Sequence, residues 1–250
     1  MLTPAIGPAT WRGAGGTSPA ILSRGTLDSM CGLYSLRQSS EAVRALFGYE
    51  DEARFPPRPY VAPAGPIGIV RQERGARRFA LVLWNFVPGW SKEIRPGRPL
   101  INARAETVME KPTFRNALLR RRCLVPADGY YEWRGEIPGR KQPFHIHRPD
   151  HGLIAFAGLW EYWQGPDGSE LETAAILTTT ASPDVADVHE RMPVIVAPEH
   201  FQAWLDADRV EPRQVLPLLA PAPAGLLVAE PTIMERPKRP SAAPEQASLF

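Results

Sequence analysis

The 250-residue chain carries 29 Lys or Arg against 27 Asp or Glu, 44% apolar residues, 28 prolines and two cysteines. That apolar share supports a buried core and excludes a disordered protein, and the length suits one large domain or two small ones. Cys31 and Cys123 give no disulfide framework and no metal-ligand spacing, and no apolar run approaches a membrane span, so the reading is of a reducing, cytoplasmic setting without membrane, metal or cofactor.

Residues 1–29 are rich in Gly, Ala, Pro, Ser and Thr and lack the basic start and apolar stretch of a secretory signal. They read as a disordered extension, or as upstream sequence translated only on paper. Met30 then precedes Cys31. If translation starts at Met30 and the methionine is removed, residue 31 presents an amine and a thiol on adjacent carbons. Such a 1,2-aminothiol condenses with an aldehyde, the amine forming a Schiff base and the thiolate closing a thiazolidine ring. A small buried apolar thiol is the other reading of a lone cysteine.

Ser39 or Ser40 can cap a short helix in which Val43, Leu46 and Phe47 recur at helical spacing, and Gly48 stops it. A proline-rich approach over 55–63 is extended or turning. Strand-like runs follow at 67–71, 79–86, 123–126, 129–133, 144–147, 153–159 and 174–179, with turn signals at Pro138-Gly139 and Asp167-Gly168. Helical pieces are expected over 113–120 and 200–205. Strands and helices do not alternate, which argues against a doubly wound parallel sheet. The fold class expected is α+β, one domain over 30–219 with a curved, mostly antiparallel β-sheet core and flanking short helices. After Leu219 the composition shifts to Pro and Ala, so 220–250 reads as a flexible tail.

Between residues 58 and 148 lie eighteen Lys or Arg against seven Asp or Glu. Arg71, Arg74, Arg77, Arg78, Lys92, Arg95, Arg98, Arg104, Arg115 and the run Arg120-Arg121-Arg122 can track a phosphate backbone, a solvated face being the alternative. Four segments embed polar groups among buried-looking neighbours. Asn102 and Arg104 alternate with alanines and share one face of an extended stretch. Glu132 stands among Tyr130, Tyr131 and Trp133, where a carboxylate is partly desolvated and suited to acid–base work. His189 and Arg191 precede an apolar run, and Thr178, Thr179 and Thr180 end a strand. Each also has a plain structural reading.

Together these words resemble the SOS response-associated peptidase (SRAP) family of abasic-site-processing proteins. The resemblance rests on Met30-Cys31-Gly32, Asn102-Ala103-Arg104-Ala105-Glu106, Arg122-Cys123-Leu124-Val125-Pro126-Ala127-Asp128-Gly129-Tyr130-Tyr131-Glu132-Trp133, Phe156-Ala157-Gly158-Leu159-Trp160-Glu161 and His189-Glu190-Arg191-Met192-Pro193. It implies a protein that recognises an abasic site in single-stranded DNA and links itself to the sugar aldehyde through an N-terminal cysteine. Cys31 would be the nucleophile, Asn102 and Arg104 would hold the site and its phosphate, and Glu132 and His189 would move protons. Arg191 is a further DNA-contacting cation, and Trp84, Trp90 or Trp133 would stack or wedge against bases. The chain is expected to act as a monomer.

The residue types suit that chemistry. An abasic sugar must open to expose its aldehyde, which needs a proton relay such as Glu132, and His189 can carry protons during Schiff-base formation and ring closure. An unperturbed terminal amine titrates at about 7.7 to 8.0, so part of it is reactive near neutrality. Three positions depart from the family pattern: Leu33 replaces an arginine, Tyr60 stands in a turn word that lacks its asparagine, and Asn85 replaces a glycine. An uncut Met30–Cys31 bond would leave only an amide nitrogen at Cys31. Gln246-Ala247-Ser248-Leu249-Phe250 resembles peptides that bind the replication sliding clamp, with Gln246, Leu249 and Phe250 as anchors on a flexible tether. Two other readings remain: a cysteine peptidase using Cys31, His189 and Glu132, and a noncatalytic single-strand-binding module.

Overall fold

A computed structural model of the protein describes residues 32–94, 99–135, 137 and 141–234. Cys31, the 1–29 extension, Arg95, Arg98, Pro138-Gly139 and the terminal Gln246, Leu249 and Phe250 lie outside the described residues. In chain order the first elements are β1 (Tyr34–Leu36), α1 (Ser40–Phe47), β2 (Arg58–Val61), β3 (Pro66–Glu73), β4 (Ala76–Leu83), β5 (Asn102–Arg104), α2 (Pro112–Arg120) and β6 (Arg122–Ala127). There follow β7 (Gly129–Arg134), β8 (Gln142–His147), β9 (Ile154–Gln164), β10 (Glu170–Thr180), β11 (Arg191–Pro193), α3 (Phe201–Leu205), α4 (Pro212–Val215) and β12 (Val228–Pro231).

Local chemistry sets several of these boundaries. The Ser39 hydroxyl accepts the Ala42 N–H and Gly48 sits at φ 65°, so α1 is capped at both ends as its spacing predicts. Arg74 (φ 50°) and Gly75 (φ 85°) form a two-residue turn whose mirrored twist suits the β3–β4 hairpin. Asp167 and Gly168 turn β9 into β10, with the Ser169 hydroxyl donating to the Asp167 carboxylate.

Pairing runs from β4 to β3, β6, β9 and β10, and Thr173 of β10 returns beside Leu83 of β4, closing a small barrel. The ring closes tightly: a Cβ at Gly158 of β9 would lie 2.8 Å from the Cys123 sulfur on β6. A second, five-stranded antiparallel sheet has the order β12-β8-β7-β1-β2. Tyr34 and Tyr130 of that sheet meet Phe156 of the barrel edge-on, at 5.9 and 6.1 Å between ring centroids, so the shared core lies between the two layers. The architecture is α+β, and the only parallel pairings among the described strands are those of β10 with β4 and β5.

The sheet continues past the composition shift at Leu219. Although 220–250 read as a flexible tail, β12 within it pairs with β8 from Val228 opposite His147 to Pro231 opposite Phe144. Four residues with two exposed side chains carry no period of their own; the partner strand makes them a strand. No helix among the described residues is long and apolar enough to cross a membrane.

Candidate functional site

The end of β10 gathers most of the polar residues singled out from the sequence. β5 runs parallel along one edge, with Asn102 beside Ile176 and Arg104 beside Thr178; β11 runs antiparallel along the other, with Pro193 beside Thr178 and Arg191 beside Thr180. Because strand side chains alternate, Ala103, Leu177, Thr179 and Met192 enter the core, whereas Asn102, Arg104, Thr178 and Arg191 share the opposite face. The alternation of Asn102-Ala103-Arg104 thus has its expected result. Arg104 is exposed and Asn102 half-buried.

Arg191 is turned inward along this face. Both terminal nitrogens of its guanidinium donate to the Glu106 carboxylate, and Nη2 also donates to the Thr178 carbonyl at 2.7 Å. Hydrogen bonding from Arg191 holds the Glu106 carboxyl below the usual carboxylate range. His189 lies two residues earlier, its Nδ1 accepting the Arg191 backbone N–H at 3.0 Å.

Glu132 belongs to the other layer. It is 4% exposed on β7, where the same alternation puts Tyr131 and Trp133 on the opposite face, so the aromatic cradle expected around this carboxylate is not formed by those two rings. Trp133, half-buried, likewise does not share the Glu132 face. β7 pairs with β1, Tyr130 opposite Tyr34, and the Tyr131 N–H donates to the Leu33 carbonyl at 2.9 Å. Glu132 therefore follows directly after the last of these bonds, toward the end of β1 from which the chain leads back to Gly32 and Cys31. Leu33 is buried.

Asp128, quoted in the sequence only as part of a longer word, anchors the other end of β1. Its carboxylate accepts the Ser35 hydroxyl at 2.6 Å and the backbone N–H groups of Arg37 and Gln38. The Ser35 hydroxyl also meets His145 Nε2 at 3.0 Å, and a Cβ at Gly129 would lie 2.4 Å from that nitrogen. Ala127-Asp128-Gly129 is thus a strand anchor: an acceptor for three donors followed by the residue that leaves room for a histidine. Its signal in the sequence was an Asp-Gly pair inside an apolar run.

The three tryptophans expected to meet bases diverge. Trp84 is fully buried; its indole N–H donates to the Ile101 carbonyl at 2.9 Å and its ring meets Tyr34 at 5.4 Å, so it joins β1 to the approach of β5 and cannot stack on a base. Trp90 is 66% exposed and lines a cleft of about 360 Å³ with Gly89, Asn116, Arg121, Glu161 and Tyr162. Asn85 has structural employment, its side-chain oxygen accepting the Leu100 N–H just before β5.

The basic run also divides. Arg122 is 1% exposed and donates to the carbonyls of Leu118, Trp204, Asp206 and Val210; burial lowers its pKa to about 10, which still leaves it charged at neutral pH. Arg121 pairs with Glu161 at 3.1 Å, Arg71 with Glu73 and Glu172, and Arg78 with Glu50 and Asp51. Arg122 and Arg71 are thus engaged within the fold, contrary to their reading as a phosphate track, whereas Arg121 and Arg78, with side chains 29% and 41% exposed, pair with carboxylates nearer the surface. Arg74, Lys92, Arg104, Lys111, Arg115 and Arg120 remain exposed. Burial pushes the Cys123 thiol far up, which removes it as a competing nucleophile.

This is an α+β protein whose polar face is built on one strand end. The family model described as SOS response associated peptidase (SRAP) matches residues 30–233, and the chain belongs to that family. It is 36% identical over 195 residues to the abasic site processing protein YoqW of Bacillus subtilis, covering 77% of this chain and 87% of the relative. It is 30% identical over 237 residues to the abasic site processing protein HMCES of Gallus gallus, covering 77% and 70% respectively. A crystal structure of a Bacteroides thetaiotaomicron protein superposes with a TM-score of 0.71 at 26% identity, covering 80% of this chain and 90% of that one. One from Bordetella bronchiseptica gives 0.69 at 27%, covering 82% and 100%.

Proposed function

We propose that this protein processes abasic sites in single-stranded DNA and captures the sugar aldehyde as a thiazolidine on Cys31. The observation that carries the reading is the shared polar face of Asn102, Arg104 and Thr178, with His189 at its edge, in a chain whose family model begins at residue 30, one position before Cys31. Relatives named for abasic site processing support the substrate.

The chemistry balances without a cofactor. The Cys31 amine adds to the aldehyde carbon and water leaves to give the imine. The thiolate then adds to the same carbon, the imine nitrogen takes up a proton, and the ring closes. The amine exists only once the Met30–Cys31 bond is cut. Glu132, one residue past the Tyr131 N–H that bonds the Leu33 carbonyl, takes and returns the proton that opens the sugar. Arg104, exposed on the polar face, holds a phosphate, and Trp90 offers an exposed ring to a base.

The test is to incubate Cys31-initiated protein with abasic and with intact oligonucleotides and to look for a denaturation-resistant adduct. Adduct on abasic DNA alone is expected, lost in Cys31→Ala and slowed about 10²-fold or more in Glu132→Gln. Peptide cleavage without adduct would replace this reading with a cysteine peptidase, and reversible binding to both oligonucleotides would replace it with a binding module.

A further inference from the structure

The cleft beside Trp90 is lined by polar groups that the crosslinking chemistry does not use. Glu161 and Arg121, with side chains 6% and 29% exposed, face it together with Asn116 of α2. Trp90, at 66% exposure, leaves most of its indole in solvent. The segment that carries this ring is nevertheless held. The Ser91 N–H donates to the Pro88 carbonyl at 2.8 Å, and the Trp163 indole N–H donates to the Ser91 carbonyl at 2.7 Å. An exposed ring on a pinned segment is set in place before a ligand arrives, which lowers the ordering cost of binding.

Glu161 keeps hydrogen-bonding capacity in hand. An ionised carboxylate offers about four lone-pair sites. The Tyr162 N–H donates to Oε1 at 3.1 Å, and the Gly89 main chain also helps to hold the charge. Arg121 Nη1 stands 3.1 Å from Oε1 but off the line of a hydrogen bond, so the ion pair offsets charge while leaving donors and acceptors to spare. Burial pushes the carboxyl pKa up, and Arg121 with the two main-chain groups opposes this; a ligand that brings further N–H donors to the carboxylate is therefore favoured. A Cβ at Gly89 would touch the Glu161 carboxyl carbon at 3.4 Å, space that glycine leaves to a ligand.

Among the four bases, guanine matches this set. Its pairing edge carries O6, an acceptor, beside two adjacent donors, N1–H and the 2-amino group. Adenine and cytosine place a ring-nitrogen acceptor next to their one exocyclic donor, which a carboxylate repels, and thymine has a single N–H between two carbonyls. That edge is open only when the base is unpaired and turned out of the stack. The cleft, about 360 Å³, is of the size that holds a small ligand. Arg115 lines the adjoining groove with Trp90, and Lys92 and Lys111 are exposed nearby in sequence, so cations for the flanking phosphates accompany the cleft. We propose that this cleft takes an unpaired guanine of the bound strand, Glu161 accepting from N1–H and the 2-amino group, Arg121 donating to O6 and Trp90 stacking on the ring. The inference rests on the reading of the protein as a single-strand binder. Glu161 pairs across β9 and β10 with Thr173, five residues before Thr178, so the pocket lies roughly 17 Å along the strand from the polar face.

Reversible binding to intact oligothymidines that carry one central guanine, inosine or adenine, followed by fluorescence anisotropy at fixed salt, decides it. The guanine strand is expected to bind about tenfold more tightly than the adenine strand, with inosine, which lacks the 2-amino group, in between. Glu161→Gln, which puts an amide where the carboxylate accepts, is expected to remove the guanine advantage. Where Glu161→Gln lowers the melting temperature, Trp90→Ala at an exposed side chain and Gly89→Ala, which crowds the carboxylate, make the same comparison. Equal affinity for the three strands, or a guanine advantage that survives all three substitutions, overturns the proposal. Guanosine monophosphate is titrated alongside. Binding of the free nucleotide as tight as that of the guanine strand would make this a nucleotide site and would overturn the assignment to DNA. Absence of binding to every strand would defeat the single-strand reading together with this one, and it is distinguished from equal binding by the anisotropy itself.

Discussion

Trp84 and Trp90 stand six positions apart in one apolar word and have opposite employment. Trp84 spends its ring on Tyr34 and its N–H on Ile101, so Trp84→Ala should lower stability by about 3–5 kcal/mol, seen as a large fall in melting temperature. Trp90 touches the cleft and solvent, and Trp90→Ala should leave melting unchanged while weakening binding to intact single-stranded DNA by about 1–3 kcal/mol, read by fluorescence anisotropy. Unaltered affinity would remove Trp90 from the DNA-contacting set. Nothing local in the sequence separates the two residues. Burial at position 84 is decided by β1, fifty residues upstream, folding onto the stretch before β5. The arginine run shows the same limit: Arg120, Arg121 and Arg122 read alike as cations, yet the chain direction through β6 sends one outward, one to Glu161 and one among four carbonyls.

Among elements, those legible in the sequence carry their own signals. α1 has its cap, period and stop, and β3, β6, β7, β9 and β10 are long enough for burial to impress a pattern. β1, β5, β11 and β12 have three or four residues each, too few for a period, and exist because a longer strand pairs with them. Asn102 and Arg104 were legible because alternation with alanine survives even in three residues. The Asp128 anchor was not, since its donors, Ser35, Arg37 and Gln38, are some ninety positions away. That anchor has a pH signature. His145, flanked by the tilted rings of Tyr131 and His147, has its pKa lowered to about 4, first by burial and then by the charges of Arg37 and His147. An unfolded histidine takes its proton near 6.5, so the folded state binds fewer protons between roughly 6.5 and 4 and loses stability as pH falls through that window. After allowance for its partial exposure the loss is about 1–2 kcal/mol. His145→Phe should flatten the fall in melting temperature over this interval; an unchanged profile would mean that other groups govern it.

At the scale of the whole molecule, two layers share one core through Tyr34, Tyr130 and Phe156, and the residues proposed for the chemistry fall on both: Glu132 on the open sheet, Asn102, Arg104 and Thr178 on the barrel. The barrel closes on itself, whereas the open sheet runs from β12 to β2, and among the described strands β12 is the one that pairs with the outer side of β8. Four residues hold that cover, helped by the contact of His147 with Glu230 at 3.3 Å and by the Thr232 N–H donating to the Pro143 carbonyl. A protein shortened at Leu219, where composition alone would place the cut, bares a row of unpaired amides along β8, and such a row recruits another strand. The shortened protein should self-associate in sedimentation, while one ending after residue 234 should not. Four modest residues thus act as the selvedge of the open sheet, and what they withhold is adhesion between copies.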